Sequence, residues 1–136
     1  MAFFLRLVRA VGEVYAREKV VRGPTDVDTL IIANSLVYSL VKSGHYAEAK
    51  TMSRKLIPQC RRAHGPDDDL RLLLRQNYAE ALYSDAGASR ADVLQAVAIL
   101  EDVTRASRQT FGAHHPRTLD TLTHLEGARM RHEDVS

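Results

Sequence analysis

Cysteine occurs only once in this 136-residue sequence, which excludes an internal disulfide and a site where several thiolates hold zinc. A single cysteine fits a reducing compartment. Long apolar runs are also missing, since none reaches the eighteen or so residues that a membrane span requires. The N-terminal stretch MAFFLRLVRAV is interrupted by Arg6 and Arg9 and has no small-residue cleavage site after it. We therefore expect a soluble, cytoplasmic protein with no export signal and no membrane partner.

Excess charge of one sign is absent as well. The net charge is +2, and the nineteen cationic side chains are spread along the chain instead of forming a basic block. The charge pattern therefore gives nucleic-acid binding no special support. Hydrophobic residues make up 45% and charged residues 26% of the sequence, a balance typical of globular proteins. The length favours one domain over residues 1–136.

Glycine is scarce, but three of the seven glycines stand at the start of similar segments. The segments are GPTDVDTL from Gly23, GPDDDLRL from Gly65 and GAHHPRTL from Gly112, spaced 42 and 47 residues apart. Each is followed, at the same offset, by a run with apolar residues three and four positions apart. That interval is helical, and no run alternates with the period of a strand. The predicted apolar face includes Leu30, Ala33 and Val37 in the first run, Ala79 and Leu82 in the second, and Leu119, Leu122 and Leu125 in the third. The sequence therefore predicts an internal helical repeat, with the five extra residues of the second copy in the loop SDAGASRAD.

The repeat register divides the chain into four parts. Residues 1–22 form a second helix without its first, residues 23–64 are repeat 1, residues 65–111 are repeat 2, and residues 112–136 are the first helix of a terminal repeat. Six antiparallel helices follow from this division. We expect all-α architecture.

Several short motifs occur at fixed distances from one another within these repeats. They are HPRTL at 115–119, NYA at 77–79, GHYAEA at 44–49 and the three glycines. In this spacing the chain resembles tetratricopeptide repeats of the kinesin light chain type, whose repeats span about 42 residues. The resemblance implies a right-handed α-α superhelix, or solenoid, with the first helix of each repeat on the concave side.

The sequence departs from the family pattern at three points. Repeat 1 has NSLV and the terminal repeat has THLE where the family has Asn-Asn-Leu-Ala, and Pro58 falls inside a predicted second helix. Proline removes a backbone hydrogen bond and clashes with the carbonyl four residues earlier, so we expect a kink at 54–58 or a helix break.

The resemblance also implies a peptide-binding groove lined by polar residues of the first helices. Asn77 stands at the asparagine of the family's Asn-Leu-Ala motif. Ser35 and His124 stand at the corresponding positions of the first repeat and the terminal repeat. Either of Asn34 and Asn77 could instead brace a neighbouring helix. The full predicted groove comprises Asn34, Ser35, Tyr38, Gln76, Asn77, Glu80, Asp120, Thr123 and His124.

The N-terminal helix has apolar residues that repeat 1 need not cover entirely. These are Phe3, Phe4, Leu7 and Val8, which predict an oligomer surface and a homodimer through this helix.

Candidate chemical sites each have a simpler interpretation. His114 and His115 lack further ligands at a recognisable spacing, and the family has a loop histidine at His115. Asp67–Asp69 lacks the spacing of a calcium loop and fits a helix start. Cys60 beside Arg61 and Arg62 could have a lowered pKa, although an inert thiol is the more frequent case.

Three functional hypotheses remain. The first is a non-enzymatic scaffold that binds a partner peptide or protein through the groove or the ends, without a cofactor. The second is a nucleic-acid adaptor using arginines near second-helix ends, such as Arg61, Arg62, Arg105 and Arg108. The third is a small enzyme or metal-binding protein, which the absence of a catalytic motif disfavours.

Overall fold

The computed structural model describes residues 2–65 and 68–135, and these residues form six α-helices and no strand. This confirms the all-helical prediction and the number of helices. No helix in the described ranges combines the length and the apolar character needed to cross a membrane. The helices are α1 (Ala2–Val21), α2 (Val27–Lys42), α3 (Tyr46–His64), α4 (Asp69–Ser84), α5 (Arg90–Phe111) and α6 (Pro116–Val135).

The chain divides into two compact units, Met1–Leu74 and Arg75–Ser136, with the division inside α4. In the first unit α2 packs against both α1 and α3. In the second unit α5 packs against α6.

The three register glycines share one backbone conformation. Gly23, Gly65 and Gly112 have φ values of 92°, 94° and 95°, a left-handed region that side chains with a Cβ rarely adopt. The N–H groups of Gly65 and Gly112 donate to the carbonyls of Arg61 and Arg108, both at 2.9 Å, and so end α3 and α5. The repeated glycine therefore marks a helix end.

The histidines of GAHHPRTL lie at the junction between α5 and α6. The backbone N–H of Arg117 donates to Nδ1 of His115 at 3.1 Å, and Leu119 N–H donates to the His115 carbonyl at 3.0 Å. His115 thus caps α6, and Pro116 occupies the first helical position, where its missing N–H costs nothing. The His115 ring stacks on Phe111 with centroids 4.7 Å apart. This geometry makes the two-residue His-Pro motif a helix junction.

The five extra residues of the second repeat are not all in the loop. The α4–α5 connection runs from residue 85 to 89, whereas the α2–α3 connection runs from 43 to 45. The remaining difference lies in α5, which has 22 residues where α3 has 19. Ser89 and Asp92 form a capping box, which begins α5 one turn earlier than the repeat register predicts.

Pro58 lies within a continuous α3, so the helix break does not occur. Proline has no backbone N–H, so it cannot donate the helical hydrogen bond to the carbonyl four residues earlier. Pro58 is exposed, so the missing bond falls on the solvent side of the helix, where water can replace it.

The apolar face predicted for the first helices is buried in α2 and α4. Leu30, Ala33 and Val37 are fully buried, as are Ala79 and Leu82. The same prediction is wrong for part of α6.

In α6, Leu125 is buried but Leu119 is 48% exposed. The buried face of this helix is instead built from Thr118, Thr121, Leu125 and Ala128. Leucine periodicity alone does not reveal which side of a terminal helix finds a neighbour.

Two mid-helix glycines allow a paired test of packing. Around Gly12 no atom lies within 4 Å of an added Cβ, so Gly12→Ala is expected to raise the free energy of unfolding by about 0.5–1 kcal/mol through helix propensity. At Gly127 the Cβ would lie 3.2 Å from Oη of Tyr83. Gly127→Ala is therefore expected to raise the free energy of unfolding less than Gly12→Ala does, or to lower it. Urea unfolding followed by circular dichroism measures both, and equal gains would contradict the contact between Tyr83 and Gly127.

Candidate peptide-binding site

Side chains of α4 and α6 meet in a hydrogen-bonded group within the second unit. We call it the α4–α6 polar cluster, and its members are Gln76, Glu80, Tyr83, Asp120 and His124. Gln76 Nε2 donates to Asp120 Oδ2 at 2.7 Å, and Tyr83 Oη lies 2.8 Å from His124 Nδ1. His124 Nε2 lies 3.6 Å from Glu80 Oε1 and 3.9 Å from Asp120 Oδ1. These contacts join two helices through polar groups.

Helical spacing places the members of the cluster on facing sides. Gln76, Glu80 and Tyr83 are four and three residues apart on α4, and Asp120 and His124 are four apart on α6. Four of the five were predicted groove residues. Tyr83 was missed, although its spacing of three from Glu80 was the available signal.

One protonation arrangement satisfies the buried part of this cluster. The side chains of Glu80 and His124 are only 12% and 16% exposed. In the tautomer with the proton on Nε2, the His124 ring directs an N–H towards the Glu80 carboxylate, and Nδ1 accepts a hydrogen bond from the Tyr83 hydroxyl. Burying Glu80 without such neighbours would carry a desolvation cost. The inner part of the cluster is thereby held in a defined geometry.

The outer part of the cluster is open to solvent. The Asp120 side chain is 61% exposed, although one of its oxygens accepts from Gln76. A carboxylate has about four acceptor positions, so Asp120 keeps capacity for N–H donors of a ligand. This group can therefore recognise donors.

Two further predicted residues of the second unit are poorly placed to contact a ligand. Asn77 is only 7% exposed, which favours the bracing role over direct binding. Thr123 is exposed, but its Oγ1 donates to the Leu119 carbonyl of its own helix at 3.1 Å.

The remaining predicted groove residues lie on α2, in the first unit. Ser35 and Tyr38 are exposed and Asn34 is half-buried. Ser35 Oγ donates to the Ile31 carbonyl at 3.2 Å, and Lys42 Nζ lies 5.4 Å from the Tyr38 ring centroid. The predicted groove thus falls into one set on α2 and another on α4 and α6.

The predicted oligomer surface on α1 is partly exposed. Phe3 is 68% exposed, while Phe4, Leu7 and Val8 are half-buried. The rings of Phe3 and Phe4 contact edge to face with centroids 5.3 Å apart.

The possible lowering of the Cys60 pKa is wrong. Cys60 is fully buried, and burial together with a hydrogen bond from Sγ to Asp68 Oδ2 at 3.3 Å raises the pKa of the thiol to about 12. Arg61 and Arg62 are exposed, and the cation that opposes this rise in the pKa is Arg71. The thiol is therefore held protonated.

The described ranges contain no assembled metal site. No group of three or more His, Cys, Asp or Glu side chains is placed there to hold a metal ion. Of the three aspartates, Asp69 begins α4, the Asp68 carbonyl accepts from Leu72 N–H, and Asp67 lies outside the described residues.

The arginines considered for nucleic-acid binding are exposed but do not all carry unbalanced charge. Arg105 Nη1 lies 3.3 Å from Asp102 Oδ1, so its charge is partly neutralised. Arg61 and Arg62 belong to the first unit, whereas Arg105 and Arg108 belong to the second.

Comparison with known proteins adds no assignment. No protein-family model matches the chain, and no curated protein or solved structure shows significant similarity to it.

Proposed function

We propose that this protein is a non-enzymatic interaction scaffold that binds a partner peptide at the α4–α6 polar cluster. The observation that carries the proposal is that the Asp120 carboxylate is both oriented and exposed. Its Oδ2 accepts a hydrogen bond from Gln76 Nε2 at 2.7 Å, while 61% of the side chain is open to solvent. The resemblance to tetratricopeptide repeats supports the same surface, because it assigns His124 to the groove, with Gln76, Glu80 and Asp120 as neighbours on the predicted inner face.

The chemistry of the cluster suits an extended peptide. A peptide backbone presents N–H donors, and leaving them unpaired on binding would cost about 1–3 kcal/mol each. Asp120 supplies acceptors for these donors. Because Gln76 already orients this carboxylate, less conformational entropy is lost when a ligand binds.

The proposal includes no reaction. The α4–α6 polar cluster contains no serine, threonine or cysteine nucleophile, and the Cys60 thiol is buried and protonated. The scaffold is proposed to act in the cytoplasm and to need no cofactor.

Selection from a display library of random twelve-residue peptides tests the proposal. The enriched peptide is synthesised with a fluorescent label, and its affinity for the full chain is measured by anisotropy. Asp120→Ala is expected to weaken binding at least tenfold, because it removes the exposed acceptor. Glu133→Ala is the matched control, since it removes an exposed carboxylate from the same helix, and it should change the affinity less than twofold.

Two results would count against peptide binding at this surface. One is a selected peptide whose affinity is unchanged by Asp120→Ala. The other is a failure to enrich any peptide while a nucleic acid binds with affinity that falls steeply as salt rises, which would favour the arginine hypothesis.

A further inference from the structure

Helix α1 differs from the other second helices of the repeats in its burial. None of its residues is buried, whereas α3 has four buried residues and α5 has six. All three helices occupy the same place in the repeat register. The difference therefore lies in what covers them.

The register allows a comparison position by position. Leu7, Val11 and Val14 of α1 are half-exposed. Their counterparts are at most 1% exposed, and these are Ala49, Ser53 and Leu56 in α3, and Ala96, Leu100 and Val103 in α5. Apolar side chains in α1 thus occupy positions that are fully enclosed by neighbouring helices elsewhere in the chain. This face has the character of a surface that receives a helix.

A groove runs along this face between α1 and α2, within the first unit. It is an open cleft of about 250 Å³, lined by Ala10, Val11 and Val14 of α1 and by Ile32 and Ser35 of α2. Its walls are almost entirely apolar. Exposed apolar side chains continue the surface at Phe3 and Ile31, which are 68% and 49% exposed.

The charges along the α1 side of the groove have a positive excess. Arg6 and Arg17 stand four residues before Ala10 and three after Val14, so they lie on the same side of the helix. Both are exposed, as is Glu13, which stands three residues after Ala10 on the same side, and as is Arg9 on the adjoining face. None of these three arginines forms an ion pair with the described residues.

Two carboxylates near the C-terminal end of α1 are already paired. Arg22 lies 2.6 Å from Glu18 and 3.2 Å from Asp28, so neither carboxylate balances the arginines of α1. Within α1, Glu13 is the carboxylate outside these pairs, and it lies beside Arg6, Arg9 and Arg17. A second copy of α1 would bring further arginines to the same face, whereas carboxylates on a partner would balance them.

From these contacts we infer that the α1–α2 groove binds an amphipathic helix of a partner protein whose apolar stripe is flanked by acidic residues. The apolar stripe packs on Ala10, Val11 and Val14, and the acidic residues face Arg6 and Arg17. This surface lies in the first unit and does not depend on the α4–α6 polar cluster.

Two labelled model peptides of eighteen residues test the inference on the full chain. Both have leucines spaced three and four apart and alanine elsewhere, and the positions flanking the stripe are glutamate in one peptide and lysine in the other. The glutamate peptide is expected to bind at least tenfold tighter at low ionic strength, and the difference should shrink as salt screens the charges. Fluorescence anisotropy measures both affinities.

Charge-reversal variants locate the binding. Arg6→Glu with Arg17→Glu should lower the affinity for the glutamate peptide at least tenfold. The matched control, Arg61→Glu with Arg108→Glu, changes the net charge equally through exposed arginines elsewhere, and it should alter the affinity less than threefold.

A second pair of variants tests the groove floor. Ala10→Gln adds bulk in the groove at an exposed position and should weaken binding, whereas Ala16→Gln, exposed and away from the groove on the same helix, should not.

Three outcomes overturn the inference. Equal affinity for the two peptides would remove the acidic preference. A dimer in light scattering that Ala10→Gln converts to a monomer would show that a second copy covers the groove. Binding of phosphatidylserine vesicles through Arg6 and Arg17, with no binding of the glutamate peptide, would make α1 a membrane-surface helix instead.

Discussion

Replacement of Leu100 by alanine is expected to lower the free energy of unfolding by about 3 kcal/mol, the largest effect of any single substitution considered for this chain. Leu100 lies in the middle of α5 and is completely inaccessible to solvent. Truncation removes apolar contact area and leaves a cavity that a rigid helix pair fills only in part. Since small domains are stable by about 5–15 kcal/mol, the loss is a large fraction of the total.

Leu94→Ala is the matched control for this experiment. Leu94 stands on the same helix but is 45% exposed, so the change is expected to cost less than about 1 kcal/mol. Urea unfolding monitored by circular dichroism gives both values. A similar loss in both variants would mean that Leu100 is not enclosed as described.

The Cys60 thiol is expected to react with iodoacetamide at pH 8 about a thousandfold more slowly in the folded protein than in urea. Burial and the neighbouring Asp68 raise the thiol pKa from 9.0 to about 12, which lowers the thiolate fraction by about that factor. Mass spectrometry of the alkylated chain follows the reaction. Rapid alkylation of the folded protein would show that the thiol is accessible and ionised.

The same pKa makes stability depend on pH at the alkaline end. Cys60 is an acid whose pKa is raised on folding, so the buried neutral thiol stabilises the fold below pH 9. This contribution is lost as pH rises from about 9 towards 12, because the unfolded chain ionises first. Burial also raises the Tyr15 pKa and acts in the same direction. Cys60→Ala should therefore show a smaller alkaline loss of stability than the native chain.

Local sequence chemistry accounts well for the helices of this protein. The three glycines of the repeat register end helices through positive φ, and Pro116 begins α6, both of which are properties of single residues. The exact start of α5 was harder to foresee. The composition of SDAGASRAD predicts a loop over the whole stretch, but the capping box of Ser89 and Asp92 starts the helix at Arg90.

Neighbouring elements account for what periodicity missed. Leu119 has the spacing of a core residue but is 48% exposed, because burial in α6 depends on which side meets another helix. The charged residues that contact Cys60 could not be predicted from its sequence neighbours either. Arg61 and Arg62 adjoin it in sequence, yet Asp68, eight residues away, contacts the thiol.

Most residues of the candidate site could be predicted from the sequence, but the hydrogen bonds between them could not. The family resemblance placed His124 in the groove and the helix register added Gln76, Glu80 and Asp120 beside it, and the structure brings these four together. The hydrogen bond from Gln76 to Asp120 joins residues 44 positions apart, and no local pattern encodes such a partner. The burial of Asn77 likewise depends on the packing around α4.

Backbone conformation, side-chain spacing and residue counts were enough to predict the helices, the junctions at the repeated glycines and the absence of an internal disulfide. Only the tertiary structure decided that Cys60 is protonated, that Asp120 is oriented yet exposed, and that the apolar face of α1 is half-covered. Those properties arise from burial and from partners distant in the chain, so they exist only once the helices have packed.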